Sequence, residues 1–311
     1  MAIQGVATEP SVVEVPSPSS GSRPLGRITQ AVLHNRKATA GALIILLIAF
    51  VAAFPGLIAR DDPQAAIYGQ GLGPSAAHLL GTTQVGQDVF AQLVWGTRLT
   101  LVITLVVSTL ATLISMVVGV TAAYVGGFTD RALSLVTDIF LILPTLPLLI
   151  VLASYLPGGS LSLILVLTLT SWAFQARQLR AQGLSLRTRD FLAAARIRGE
   201  RMPYIVLVEI VPTMTSLLLA SFLGLAVFVV GFAAGLQFLG LGDSSELTWG
   251  SMLYYAQEGG ALEAGNAWWA LAPGGAVGLM GAGFALLNYA FDEVGNPALR
   301  PVRRRRVRRH P

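Results

Sequence analysis

An all-α integral membrane protein with six transmembrane helices is the architecture expected here, on three observations. Only 12% of the 311 residues are charged and 54% are hydrophobic, about half the charged share of a soluble domain. The apolar residues gather in runs near the ~20 needed to cross a bilayer as a helix, and the mean hydropathy is +0.67. The arginines crowd at the ends of those runs rather than within them. The runs do not alternate, which excludes barrel strands, and a backbone in hydrocarbon must then satisfy its polar groups within helices.

The elements follow in chain order. Residues 1–37 begin with a stretch rich in Pro, Ser and Gly and predict a disordered cytoplasmic tail. Arg36 and Lys37 precede the first run, Ala38–Ile58. Its long polar lead and spanning length favour a retained anchor over a cleaved signal. Further spans are expected at Leu99–Val125, Leu133–Leu156, Leu161–Gln178, Tyr204–Leu236 and Trp268–Ala290. The fourth ends in polar residues, Ser171, Gln175 and Arg177. The six-helix domain covers residues 38–292, and residues 293–311 form a basic cytoplasmic tail. Its arginine cluster, Arg303–Arg309, fixes topology or meets anionic membrane lipid.

Orientation follows from charge. With the N-terminus in the cytoplasm, Arg131, Arg177, Arg180, Arg187, Arg189, Arg196, Arg198 and Arg201 fall inside with the terminal arginines, and only Arg60 and Arg98 fall outside. The outer loop after the fifth run carries Asp243, Glu246, Glu258 and Glu263 and no cation. The positive-inside bias therefore puts both termini, and the loop at about residues 185–203, in the cytoplasm.

Several chemistries are excluded. The chain has no cysteine, so disulfides and thiolate metal ligands are absent. His34, His78 and His310 lack metal-ligand spacing. The net charge is +5, but arginines placed at span ends point to membrane orientation rather than to nucleic acid. The only lysine, Lys37, follows His34-Asn35-Arg36 rather than a glycine-rich loop, so the chain cannot hold ATP in a P-loop. No His-Glu-x-x-His or Gly-x-Ser-x-Gly is present. The expected protein binds no cofactor and performs no covalent chemistry. The span centres are almost free of charge, which argues against a secondary transporter or a channel.

One cytoplasmic stretch, Asp190 to Pro212, stands out. Ala193, Ala194 and Ala195 form a small-residue cluster, Gly199 follows, and Ile210 and Pro212 come later. Small side chains let a short helix approach a partner groove. Glycine lets the chain turn after it, and Arg196 and Arg198 offer charge-assisted bonds to an acidic rim. This pattern resembles the "EAA" loop of bacterial ABC-importer permeases, whose Glu-Ala-Ala, later Gly and Ile-x-Pro dock a cytoplasmic ATPase. Ala193 stands where that family usually has Glu, which removes one charged contact.

Other segments extend the likeness over about residues 38–300. They are His78-Leu-Leu-Gly-Thr-Thr-Gln-Val-Gly-Gln-Asp-Val-Phe90, Gly96-Thr-Arg98, Leu236-Gln-Phe-Leu-Gly-Leu-Gly242, Thr248-Trp-Gly-Ser-Met-Leu253 and Asn266-Ala-Trp-Trp-Ala-Leu-Ala-Pro273. They resemble the "C"-type permease subunits of dipeptide, oligopeptide and nickel importers. The resemblance implies a type I ABC importer permease fold in a bacterial inner membrane. It also implies a second, "B"-type permease, two cytoplasmic ATPase subunits that bind ATP and Mg, and an extracytoplasmic substrate-binding protein. Peptides are the implied cargo, with nickel or another small solute as the alternative.

Two further patterns bear on mechanism. Small residues recur every fourth position at Ala111, Ser115, Gly119, Ala123 and Gly127, at Gly231 and Gly235, and at Gly274, Gly278 and Ala282. Such faces pack helices backbone to backbone, within the subunit or against the partner permease. Asp138 and Glu209 are acids inside predicted spans, both near the inner face where water or an arginine can satisfy them. Asp138 with Pro144 and Pro147 are the gating candidates, the prolines foremost because they weaken a helix locally.

Overall fold

Residues 36–243 and 245–295 are described by a computed structural model. Residues 1–35 of the expected N-terminal tail, and the arginine cluster of the C-terminal one, lie outside the described residues. Among the described residues the regular elements are helices, in the order α1 Arg36–Ala53, α2 Pro55–Ile58, α3 Val89–Val125, α4 Gly127–Ile142, α5 Thr145–Tyr155, α6 Ser160–Ser171, α7 Ala173–Arg187 and α8 Asp190–Ile197. An irregular helix, α9 Met202–Thr213, follows, then α10 Thr215–Phe238, α11 Trp249–Glu258 and α12 Trp268–Gly295.

Four of these, α1, α3, α10 and α12, are long and apolar enough to cross a membrane unbroken. The pair α4–α5 makes a fifth if it is one span, and it is bent by 91°. The run expected as the fourth span, Leu161–Gln178, is two helices that meet at Trp172. Thr170 and Ser171 donate back to the carbonyls of Val166 and Leu167 at this junction, a contact that bends helices. The run expected as the fifth span breaks at Met214.

The bend in the third expected span has a local cause. Leu143 precedes Pro144 and is extended, φ −64° and ψ 131°, because a residue before proline is pushed out of the helical region. Pro147 then falls in the first turn of α5, where its missing N–H has no intrahelical partner to lose. The second span begins ten residues earlier than its apolar run. Asp88 caps α3, its Oδ1 accepting the Ala91 N–H at 2.8 Å. His78 Nδ1 holds the other carboxylate oxygen at 2.8 Å.

Helix α3 is the spine. It packs along α7 and crosses α10, while α12 packs on α10 and α1 covers α12. The α3–α7 contact uses the first small-residue ladder. Ser115 Oγ donates to the Trp172 carbonyl at 2.7 Å. A Cβ at Gly119 would meet the Ala176 carbonyl oxygen at 2.5 Å, and one at Gly183 would meet Ala123 at 2.7 Å. This ladder therefore closes the subunit on itself, as far as Ala123. Gly127 begins α4 with open space around it.

Candidate coupling surface and inner cavity

Helix α8 is short and two-sided. Arg189 precedes it in an extended conformation, and Asp190 in its first turn complements the helix dipole. Leu192 and Ala195 are fully buried, in a cluster with Val120 of α3, Leu179 of α7, and Ile205, Ile210 and Met214. The opposite side is bare. Ala193 and Ala194 are exposed, and Ile197 is 88% exposed. Ile197 lies three and four residues after them and so shares their face. The result is a shallow step, two methyls beside one large apolar side chain.

The helix ends in a glycine-closed turn. The Gly199 N–H donates to the Arg196 carbonyl at 3.0 Å, and the Glu200 N–H to the Ala195 carbonyl at 3.2 Å. These are the paired bonds of a Schellman motif, which needs a left-handed residue between them. Gly199 supplies it at φ +75°. A Cβ placed there would meet nothing within 4 Å, so the space beside Gly199 is free of the described residues.

The two arginines tie α8 to the membrane body. Arg196 lies over the Tyr124 ring, 5.4 Å from its centroid, at the C-terminal end of α3. Arg198 Nη2 donates to Glu209 Oε1 at 3.2 Å, and its Nε lies 3.7 Å from Glu200. Each side chain is exposed, so each tie is worth no more than about 1 kcal/mol. Ile210 is 2% exposed, which makes it an anchor beneath α8 and not part of its outer face. Pro212 is exposed and stands just beyond a π-helical turn, Ile205–Ile210. Proline cannot donate to the preceding turn. The Val211 N–H reaches five residues back to Val206, and the Met214 N–H is shared between Ile210 and Val211. This irregular stretch joins α8 to α10.

Asp138 is paired. Arg177 Nη2 donates to its Oδ1 at 2.5 Å. One turn on along α7 and about two turns back along α4, Arg180 grips Asp130 with two bonds, at 2.5 and 2.8 Å. Both pairs tie α4 to α7 beside a cavity of about 410 Å³. Asp138 thus has an arginine partner at the surface, as Glu209 has Arg198. Pro144 sits at the 91° bend.

A larger cavity of about 820 Å³ opens between the α4–α5 bend, the α6–α7 junction, α10 and α12, and no charged side chain among the described residues lines it. Gln175, Gln178 and Gln182 of α7 face it, with Ser221 of α10 and Asn288 of α12. Sequence reasoning missed this glutamine stripe and Ile197. The three-and-four spacing of the glutamines, in a segment read only as a weak span, was the available signal.

The sequence profile described as binding-protein-dependent transport system inner membrane component matches residues 115–294. The oligopeptide transport system permease protein OppC of Bacillus subtilis is 30% identical over 271 residues, covering 86% of this chain and 87% of that one. The nickel transport system permease protein NikC of Escherichia coli is 32% identical over 222 residues, 70% of this chain and 79% of that one. Among solved structures, the methionine ABC transporter MetNI in an inward-facing conformation shares the fold. Its TM-score is 0.53 at 22% identity, over 67% of this chain and 97% of that chain. The α8 surface, the paired acids and the glutamine stripe all fall within the matched residues, and the chain belongs to the family of binding-protein-dependent transport system inner membrane components, the permeases of ABC importers.

Proposed function

We propose that this permease carries peptides, most simply di- or oligopeptides, into a bacterial cell by alternating access, as half of a pathway completed by a second, "B"-type permease. Residues 38–292 form the membrane domain and both termini face the cytoplasm. Two cytoplasmic ATPase subunits bind ATP and Mg. An extracytoplasmic binding protein delivers the solute. The observation that carries this reading is the outer face of α8. Ala193, Ala194 and Ile197 are uncovered, Gly199 closes the turn beside free space, and the buried side is locked to α3, α7 and α9. A push on that face reaches the spans through Ile205, Ile210 and Met214. The irregular turn before Met214 and the bend at Leu143–Pro144 are the places where a helix yields with least loss of backbone bonding.

The peptide cargo is supported by the likeness to an oligopeptide permease. A nickel or small-solute cargo is the second reading, favoured by the likeness to a nickel permease. The second permease is supported by two ladders with open space beside them. A Cβ at Gly231, Gly235 or Gly278 would meet no atom of the described residues within 4 Å, and small-residue faces of this kind bring helices together in lipid.

Orientation is testable because the chain has no cysteine. Ser245 and Ser185 are both exposed. Ser245→Cys is expected to react with a membrane-impermeant maleimide in intact cells, and Ser185→Cys only after the cells are opened. The reverse pattern would place α8 beyond the reach of any cytoplasmic ATPase and end this reading.

A further inference from the structure

We propose that Gln175 and Gln178 of α7, Ser221 of α10 and Asn288 of α12 form a solute-contact subsite that reads the N–H groups of a peptide backbone and is indifferent to the charge of its side chains. The inference rests on the permease reading above and names the chemistry of its pathway.

Three observations converge. The cavity, about 820 Å³, falls within the ~300–1,000 Å³ of small-molecule sites. Its α7 wall is a polar stripe, in which Gln175, Gln178, Gln182 and Ser185 recur every three or four residues and so share one face. Of the three arginines of the same helix, Arg177 and Arg180 are held by Asp138 and Asp130, and none of the three, Arg187 included, lines this cavity. The helix thus sorts its charges to one side and its uncharged amides and hydroxyls to the other.

The second observation is independent of that pattern. Gln175 Oε1, Ser221 Oγ and Asn288 Oδ1 are buried behind the cavity wall and have no hydrogen-bond partner among the described residues. They come from three different helices and line one cavity. A buried polar atom left unpaired is costly and calls for an explanation. All three can accept, the Ser221 hydroxyl being a donor as well, and rotation of these side chains toward the cavity lets a solute rich in amide or ammonium N–H groups complete them. The third observation is the missing charge. With no carboxylate or cation among the described residues of the lining, peptides carrying Lys, Ala or Glu side chains meet the same wall.

The test uses the full complex in proteoliposomes, with uptake of tripeptides carrying Lys, Ala or Glu at the central position. Gln178 is exposed in the cavity, so its variants do not burden folding. Gln178→Glu is expected to raise the ratio of Lys- to Glu-peptide uptake about tenfold, and Gln178→Lys to lower it about tenfold, the effect of roughly 1.4 kcal/mol of differential binding. Gln175→Leu is expected to slow all three peptides alike with the complex still assembled. A ratio unmoved by either Gln178 variant overturns the subsite. So does loss of the second permease from complexes carrying these variants, which would make the stripe a subunit interface. A wild-type complex that carries none of the three peptides overturns the peptide-permease reading itself, and the subsite with it.

Discussion

Replacing Gly199 by glutamate is expected to abolish uptake while the subunit remains in the membrane at a near-normal level. The two consequences separate because of where Gly199 sits. Within the chain, a side chain at φ +75° strains the backbone by about 1–2 kcal/mol, and a Cβ there meets no atom within 4 Å. That strain is small beside the ~5–15 kcal/mol that holds a typical domain together. Outside the chain, the carboxylate projects from the end of α8, beside the uncovered Ala194 and Ile197, into the space where a partner must seat. It also places a negative charge at the negative end of a helix. Uptake at least about a hundredfold below wild type corresponds to roughly 2.8 kcal/mol of lost coupling. The measurement is solute uptake set against the amount of subunit in the membrane. Normal transport by this variant would remove the coupling role from α8.

Gly119→Leu is expected to fail in the opposite way, by destroying the fold. Its Cβ would lie 2.5 Å from the Ala176 carbonyl oxygen, 3.0 Å from Leu179 Cβ and 3.1 Å from the Arg180 N. Two of these three are backbone atoms of α7, which cannot rotate aside. Making room means parting α3 from α7 along the ladder that Ser115 and Ala123 share. Overpacking ordinarily destabilises by about 1–3 kcal/mol, and a clash with backbone belongs at or above the top of that range. The amount of subunit in the membrane should fall sharply, and any protein recovered in detergent should melt several degrees lower. A variant with wild-type abundance and melting temperature would show that α3 and α7 are not in close contact.

The contrast between these glycines shows what was legible in the sequence. Four spans were legible because apolar runs must be helices in lipid, whereas the expected third run bends, the fourth is two short helices and the fifth breaks at Met214. The ladder containing Gly119 announced a close approach of two backbones, but a spacing of four does not say which backbone approaches. Only the α3–α7 packing settles that it lies within the chain. Pro144 signalled a kink. The near right angle arises from two further facts, an extended Leu143 and a Pro147 that fits a new first turn. The Ala193–Gly199 segment was legible as a short helix with a glycine turn. Ile210, grouped with it by spacing, is instead buried, because spacing does not tell which side of an irregular helix faces the core. Ile197 escaped notice for the converse reason, since an isoleucine in an apolar pattern reads as core until its 88% exposure is seen. The glutamine stripe was hidden in the polar end of a short span, where Trp172 divides the run.

The outer face of α8 is the surface proposed to meet an ATP-hydrolysing subunit. Its most direct measurement places a single cysteine at Ile197, in a chain that otherwise has none, and asks what it crosslinks to in complexes shown to take up solute. The account predicts a crosslink to the nucleotide-hydrolysing subunit, with a yield that changes between nucleotide-free and ATP-bound complexes. Transport-competent complexes in which Cys at this position reacts freely with maleimide, and never joins that subunit in either state, would contradict it.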